Sequence, residues 1–130
     1  MKVKVSEASG PVLDWMVAQA ELTREDYRDR GLLVHRIGYG QPMPPYSTDW
    51  SQGGPIIERE DINVNRHTHS EVTESGQEIY RKDGWTAFTT ATAYWMTPKR
   101  QYGPTPLIAA MRAYAAYKLG DEVEVPEELK

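Results

Sequence analysis

Residues 103–120 read GPTPLIAAMRAYAAYKLG, and this stretch carries the clearest structural signal in the chain. Thr105 can cap a helix with its hydroxyl, and Pro106 suits the first helical position because the backbone donor it lacks would have no partner there. Leu107, Ile108, Met111, Tyr114, Ala115 and Lys118 then recur at helical spacing, giving one apolar face. Gly120 can adopt the positive φ that ends a helix, and Lys118 complements the negative helix end. The pattern predicts a helix from Pro106 to about Leu119.

A second helix is expected near the start. Ser9-Gly10-Pro11 reads as another helix opening, with Ser9 or Gly10 as the cap. Val12, Leu13, Met16, Val17 and Ala20 follow at amphipathic spacing, ending near Glu21. Before it, residues 2–6 alternate polar and apolar with Val3 and Val5 on one face, the pattern of a short strand.

Between the two helices the signals are weaker. Residues 22–30 are mostly charged and read as a solvated extension or short helix, and residues 32–37 as a strand closed by Gly38 and Gly40. From 41 to 55 the chain carries Pro42, Pro44, Pro45, Gly53, Gly54 and Pro55, so a long loop is expected there, with Ile56 and Ile57 opening a strand. Residues 59–76 are polar and weakly patterned and read as a flexible excursion. Residues 77–80 and 85–94 resemble the arms of a hairpin turning at Asp83-Gly84, and residues 97–102 a basic connector. The expected class is α+β. A small antiparallel sheet packs with an N-terminal and a C-terminal helix, long Gly/Pro-rich loops complete it, and residues 1–120 form one domain.

Bulk composition excludes several classes. With 130 residues and no cysteine, disulfides, thiolate nucleophiles and cysteine-ligated metals are excluded, which suits a reducing cytosol. No run of apolar residues is long enough for a membrane span, and the N-terminus lacks the apolar core of a secretory signal. The net charge of −4 resides in residues 121–130, read as an acidic C-terminal tail with one short alternating patch at Val123 and Val125. The remainder is neutral. With no basic stripe to neutralise phosphates, duplex nucleic acid is not an expected partner. Tyr and Trp, eight and four residues against one Phe, suit half-wet sites such as pockets, or the buried seam of a homodimer.

Two segments carry groups that could bind something. The first is Tyr46-Ser47-Thr48-Asp49-Trp50-Ser51-Gln52-Gly53-Gly54-Pro55. Tyr46 and Trp50 can stack on a planar ring, Asp49 can accept hydrogen bonds, and Gly53-Gly54 lets a backbone approach a ligand and offer its amides. A structural loop explains the same residues, because Ser, Thr and Asp often satisfy turn amides locally. The second segment is Tyr102-Gly103-Pro104-Thr105-Pro106, where a helix amino terminus could meet an anion, or could simply be a well-built helix start. Trp85 is a further stacking candidate, and Arg112, about two turns into the helix, could face the same pocket.

Other patterns are poor. His67-Thr68-His69 lacks a third ligand, so no metal site and no cofactor are expected. Gly38-Tyr39-Gly40 is half a glycine fingerprint. Ser47 and Ser51 lack the elbow of a serine hydrolase, and Glu58 and Glu60 fit a solvated face as well as an acid–base pair. Nothing marks a catalytic residue.

The strings YSTDWSQGGPIIERE at 46–60 and YGPTPLIAAMRAYAAYKLGDEVEVPEEL at 102–129 closely resemble the NinX family of lambdoid-type bacteriophages. The opening, with its Ser-Gly-x-x-Leu-Asp-Trp pattern within residues 3–20, resembles that family's start. Residues 22–30 and 61–83 lie outside the likeness. The resemblance implies a phage accessory protein in the host cytoplasm and implies no activity. Its pattern falls on Ser47, Thr48, Asp49, Trp50, Gln52, Gly53, Gly54, Pro55, Gly103, Pro104 and Thr105, which are polar, glycyl and aromatic rather than plain core residues. The leading expectation is a non-enzymatic binder of a small, ring-bearing, nucleotide-like anion. The alternatives are a module that redirects a host enzyme through protein contact, and a nucleotide-acting enzyme with Asp49 or Glu58 as general base.

Overall fold

The computed structural model describes residues 1–23, 44–93 and 100–129. The elements are β1 (Lys2–Lys4), a 3-10 turn (Val5–Glu7), α1 (Gly10–Leu22), α2 (Trp50–Arg59), β2 (Ile62–Val72) and β3 (Glu78–Thr89). They continue with the short α3 (Thr90–Ala93), β4 (Gln101–Gly103), α4 (Pro106–Leu119), β5 (Glu122–Glu124) and a last 3-10 turn (Glu127–Leu129). The class is α+β. Among the described residues the strands form small antiparallel sheets, a three-stranded β2-β3-β4 and a two-stranded β1-β5. The strand expected at 32–37 and most of the charged extension at 22–30 lie outside the described residues.

The central element is α4. Leu107, Ala109, Ala110, Met111, Ala113, Tyr114 and Ala115 are all buried, so this helix is covered on most of its circumference. Its alanines let the sheet, α1 and α2 approach closely, and α4 packs against each of them. Thr105 caps it by accepting from the Ile108 amide at 3.1 Å, Pro106 stands at the helix start, and Gly120 ends it at φ 93°. Such a cap contributes about 1 kcal/mol. α1 also forms as expected, except that the Ser9 hydroxyl makes no capping bond; Gly10, at φ 56°, supplies the turn into the helix.

Several expectations for the middle of the chain are corrected. Residues 50–59, expected as the end of a loop and the start of a strand, form α2. Asp49 caps this helix, and Gly53, Ile56, Ile57 and Glu60 fall on its inward side, at i, i+3, i+4 and i+7. Pro55 sits inside the helix, where its missing N–H leaves the Ser51 carbonyl without the usual partner. Ser51 is exposed, so water can serve instead.

Residues 62–72, within the expected excursion, are the long strand β2. Its partner β3 runs through Asp83-Gly84 instead of turning there. The hairpin turns instead at residues 73–77, where Thr73 N donates to Gln77 O and Gly76 N to Thr73 O, both at 2.9 Å. The glycine of the Asp-Gly pair serves a β-bulge: the register shifts between Arg66 and Thr68, and Gly84 has φ 74°. Residues 90–93, assigned to a strand by the sequence pattern, are helical, and Gln101 and Tyr102 belong to β4 rather than to a connector.

The acidic C-terminal segment carries β5, which pairs with β1 through Lys2–Glu124, Val3–Val123 and Lys4–Glu122. Val125 is buried, and the Met1 ammonium donates to Glu124 Oε1 at 2.6 Å.

Candidate functional site

Both candidate segments press on the first turn of α4. A side chain at Gly53 would collide with the Tyr46 carbonyl and come within 2.7 Å of Leu107 Cδ1. One at Gly103 would lie 2.6 Å from the Ala109 amide nitrogen. Residues 107–109 are therefore wedged between α2 on one flank and β4 on the other. Each glycine is there because backbone or α4 occupies the space of a Cβ.

The polar groups of the first segment are largely spent on local structure. Asp49 Oδ1 accepts from the Ser51 amide at 2.9 Å and the Ser51 hydroxyl at 2.7 Å, contacts that hold its carboxyl below the usual range. The Gln52 and Gly53 amides donate to the Asp49 carbonyl at 3.0 Å, so the amides expected to meet a ligand are engaged in the helix start. Tyr46 is a core residue, Gln52 is half-buried and Thr48 is exposed. A side chain at Gly54 would meet the edge of the Trp50 ring at an ordinary contact distance of 3.8 Å. The rest of that indole is open, with Trp50 55% exposed.

Ser47 points elsewhere. Its amide donates to Asp14 Oδ1 at 2.8 Å, and its buried hydroxyl, although close enough to help hold the Asp14 carboxyl down, has no partner in hydrogen-bond geometry. Burial outweighs both contacts and pushes the Asp14 pKa up.

On the other flank, Trp85 pairs with Gly103 across β3 and β4, and the Arg66 guanidinium stands 4.9 Å from the centre of the indole's ring system. Tyr102 is 53% exposed and meets His67 edge-on, the ring centres 5.1 Å apart. Arg112 lies here too. It is five residues, and so about 140° around the helix, from Leu107. Its Nε donates to Ala8 O at 2.8 Å and its Nη1 to Tyr102 O at 2.6 Å. Arg112 therefore faces the β4 flank, not the Trp50 side. Among the described residues, no cluster of His, Asp and Glu is arranged to hold a metal ion.

A family whose sequence model is described as Bacteriophage P22, NinX matches residues 4–118. The chain belongs to the NinX family. The match to NinX runs through residues 61–83, which the motif likeness left out, so the β2–β3 hairpin is part of what this chain shares with the family. No curated protein matches the chain. Among the described residues, no helix is long and apolar enough to cross a membrane.

One polar cluster escaped the sequence reading of this NinX chain. Glu21 of α1 is buried, and its carboxylate accepts from Arg59 of α2 and, at 2.7 Å, from the Tyr114 hydroxyl of α4. Arg59 reaches Glu60 as well, at 3.2 Å. Burial acts to lower the Arg59 pKa, but the Glu21 carboxylate, Tyr114 and Glu60 together raise it. Burial first and then Glu21 push the Tyr114 hydroxyl up. A signal was present: Asp14 and Glu21 stand seven residues apart, and so on one side of a helix that is otherwise apolar there.

Proposed function

We propose that this NinX-family chain is a non-enzymatic accessory protein of the host cytoplasm that binds a small, ring-bearing, nucleotide-like anion at the amino end of α4. By doing so it withholds a host signal. The observation that carries the reading is the wedge: Gly53 and Gly103 pack on residues 107–109 from two sides, and each segment leaves an open aromatic ring, Trp50 and Tyr102. Exposed aromatic faces next to a helix amino terminus suit planar anionic ligands. Asp49 and Ser51 are committed to a helix cap, which fits binding better than acid–base chemistry.

Calorimetry of the full chain against a panel of mononucleotides and cyclic nucleotides tests this reading. Heat with at least one member, lost in Trp50→Ala or Tyr102→Ala while the fold is kept, is the expected result. A panel that gives no heat at all retires the reading.

A second reading draws on the hairpin. Val72 and Tyr80, each 73% exposed, stand near the β2–β3 turn, where an apolar contact with a host protein could form. Recovery of a stoichiometric host protein from lysate, lost in Tyr80→Ser, would favour that reading over the ligand.

A further inference from the structure

We infer that Arg112 is the anion-binding group of this protein and that it takes a singly charged phosphodiester, such as that of a cyclic nucleotide, rather than a polyphosphate. The inference rests on the binding reading above and gives it a place and a charge.

The Arg112 guanidinium is part-buried at Nε, which donates to the Ala8 carbonyl, and exposed at Nη1, which donates to the Tyr102 carbonyl. Carbonyl dipoles orient a cation without neutralising it, and a desolvated charge is ordinarily paired with an opposite one. Arg59 of α2, by contrast, has Glu21 and Glu60 for that purpose. Burial lowers the Arg112 pKa, and among the described residues no carboxylate pairs with it. The two carbonyl bonds use Nε and one Nη1 hydrogen, so the Nη2 amino group remains to donate to an anion's oxygens. The fork is fixed in advance, which lowers the entropy lost on binding.

Tyr102 couples this cation to a ring site. Its carbonyl holds Arg112 at 2.6 Å while its own ring stands open to solvent with His67 at its edge. A ligand whose anionic group meets Arg112 can lay a base against that ring.

The charge class follows from the groups that flank these two carbonyl residues along the chain. Ser6 and Gln101 line a cavity of about 150 Å³ together with Lys4, Asp121 and Glu122. Ser6 stands two residues before Ala8 and Gln101 one before Tyr102, whose carbonyls hold the guanidinium. Two carboxylates against one ammonium make this neighbour hostile to a second negative charge, whereas its acceptors suit sugar hydroxyls or an exocyclic amine. The volume is below that of a whole-ligand pocket and fits one such part of a nucleotide.

The test is calorimetry of the full chain with 3′,5′-cyclic GMP, 3′,5′-cyclic AMP, 5′-GMP, GTP and a short single-stranded oligonucleotide. The expected result is that a cyclic diester binds at least tenfold more tightly than GTP. Arg112→Gln and Tyr102→Leu, the second of which leaves the main-chain carbonyl in place, should each weaken that binding at least tenfold. GTP binding as tightly as the diester and depending on Arg112 overturns the charge assignment and leaves the binding reading standing. A diester bound equally well by folded Arg112→Gln places the anion elsewhere and overturns the site. Tighter binding of the oligonucleotide than of any cyclic nucleotide overturns the small-ligand assignment, and silence with every nucleotide removes both this inference and the reading beneath it.

Discussion

The two flanks of α4 handle polar groups in opposite ways. On the α1/α2 flank, Arg59 meets Glu21, Tyr114 and Glu60, so a partly buried cation is closed off by the Glu21 carboxylate of α1 and by that of its neighbour Glu60. On the β4 flank, Arg112 has similar burial and is held by main-chain carbonyls. The difference separates two uses of a desolvated arginine. A neutralised one ties elements together. One that is oriented without being neutralised keeps attraction for an outside anion.

Removing each arginine should expose that difference, and the largest effect belongs to the closed flank. Arg59→Met strands Glu21 in the interior and should cost about 3–5 kcal/mol of folding stability by denaturant titration. Adding Glu21→Gln to it should recover a substantial part of that loss. Equal stability in the single and double variants would mean that Glu21 is not the stranded charge.

Next in size is the wedge on the same flank. Gly53→Ala places a methyl against the Tyr46 carbonyl, which is backbone and cannot retreat as a side chain does, and against Leu107. About 2–3 kcal/mol of destabilisation is expected. Gly54→Ala, where the new methyl finds ordinary contact with the indole, should be neutral or stabilising by up to about 1 kcal/mol, because alanine is the better helix former. Matching losses at the two positions would contradict this account of the glycine pair.

The smallest effect is expected on the open flank. Arg112→Met loses two carbonyl contacts but also removes a charge that desolvation disfavours, so folding stability should change by no more than about 1 kcal/mol. A loss as large as that of Arg59→Met would make Arg112 a structural tie like its counterpart and erase the contrast.

Much of this arrangement could be read in the sequence where short-range chemistry decides it. α4 and its caps follow from Thr105, Pro106 and Gly120 because the capping groups and the apolar period lie within a few residues of one another. α1 follows in the same way. The segments that misled are those whose local chemistry points two ways. Gly53-Gly54-Pro55 reads as a loop, yet the Asp49 cap and the packing of Gly53 and Ile56 make it helical. Asp83-Gly84 reads as a hairpin turn, yet Gly84 serves a bulge, because pairing with a polar β2 extends beyond it.

The sequence by itself determined the α+β class, both terminal helices with their boundaries, the two glycine-bearing segments and the family. Tertiary structure decided which polar groups those segments leave available. The Asp49 cap is local, but a carboxylate seven residues from Asp14 that consumes Arg59 and the Ala8 carbonyl that helps hold Arg112 are partners brought from distant parts of the chain. Local spacing fixes a residue's element. The burial and counter-charge that set its chemistry come from elements far away in sequence.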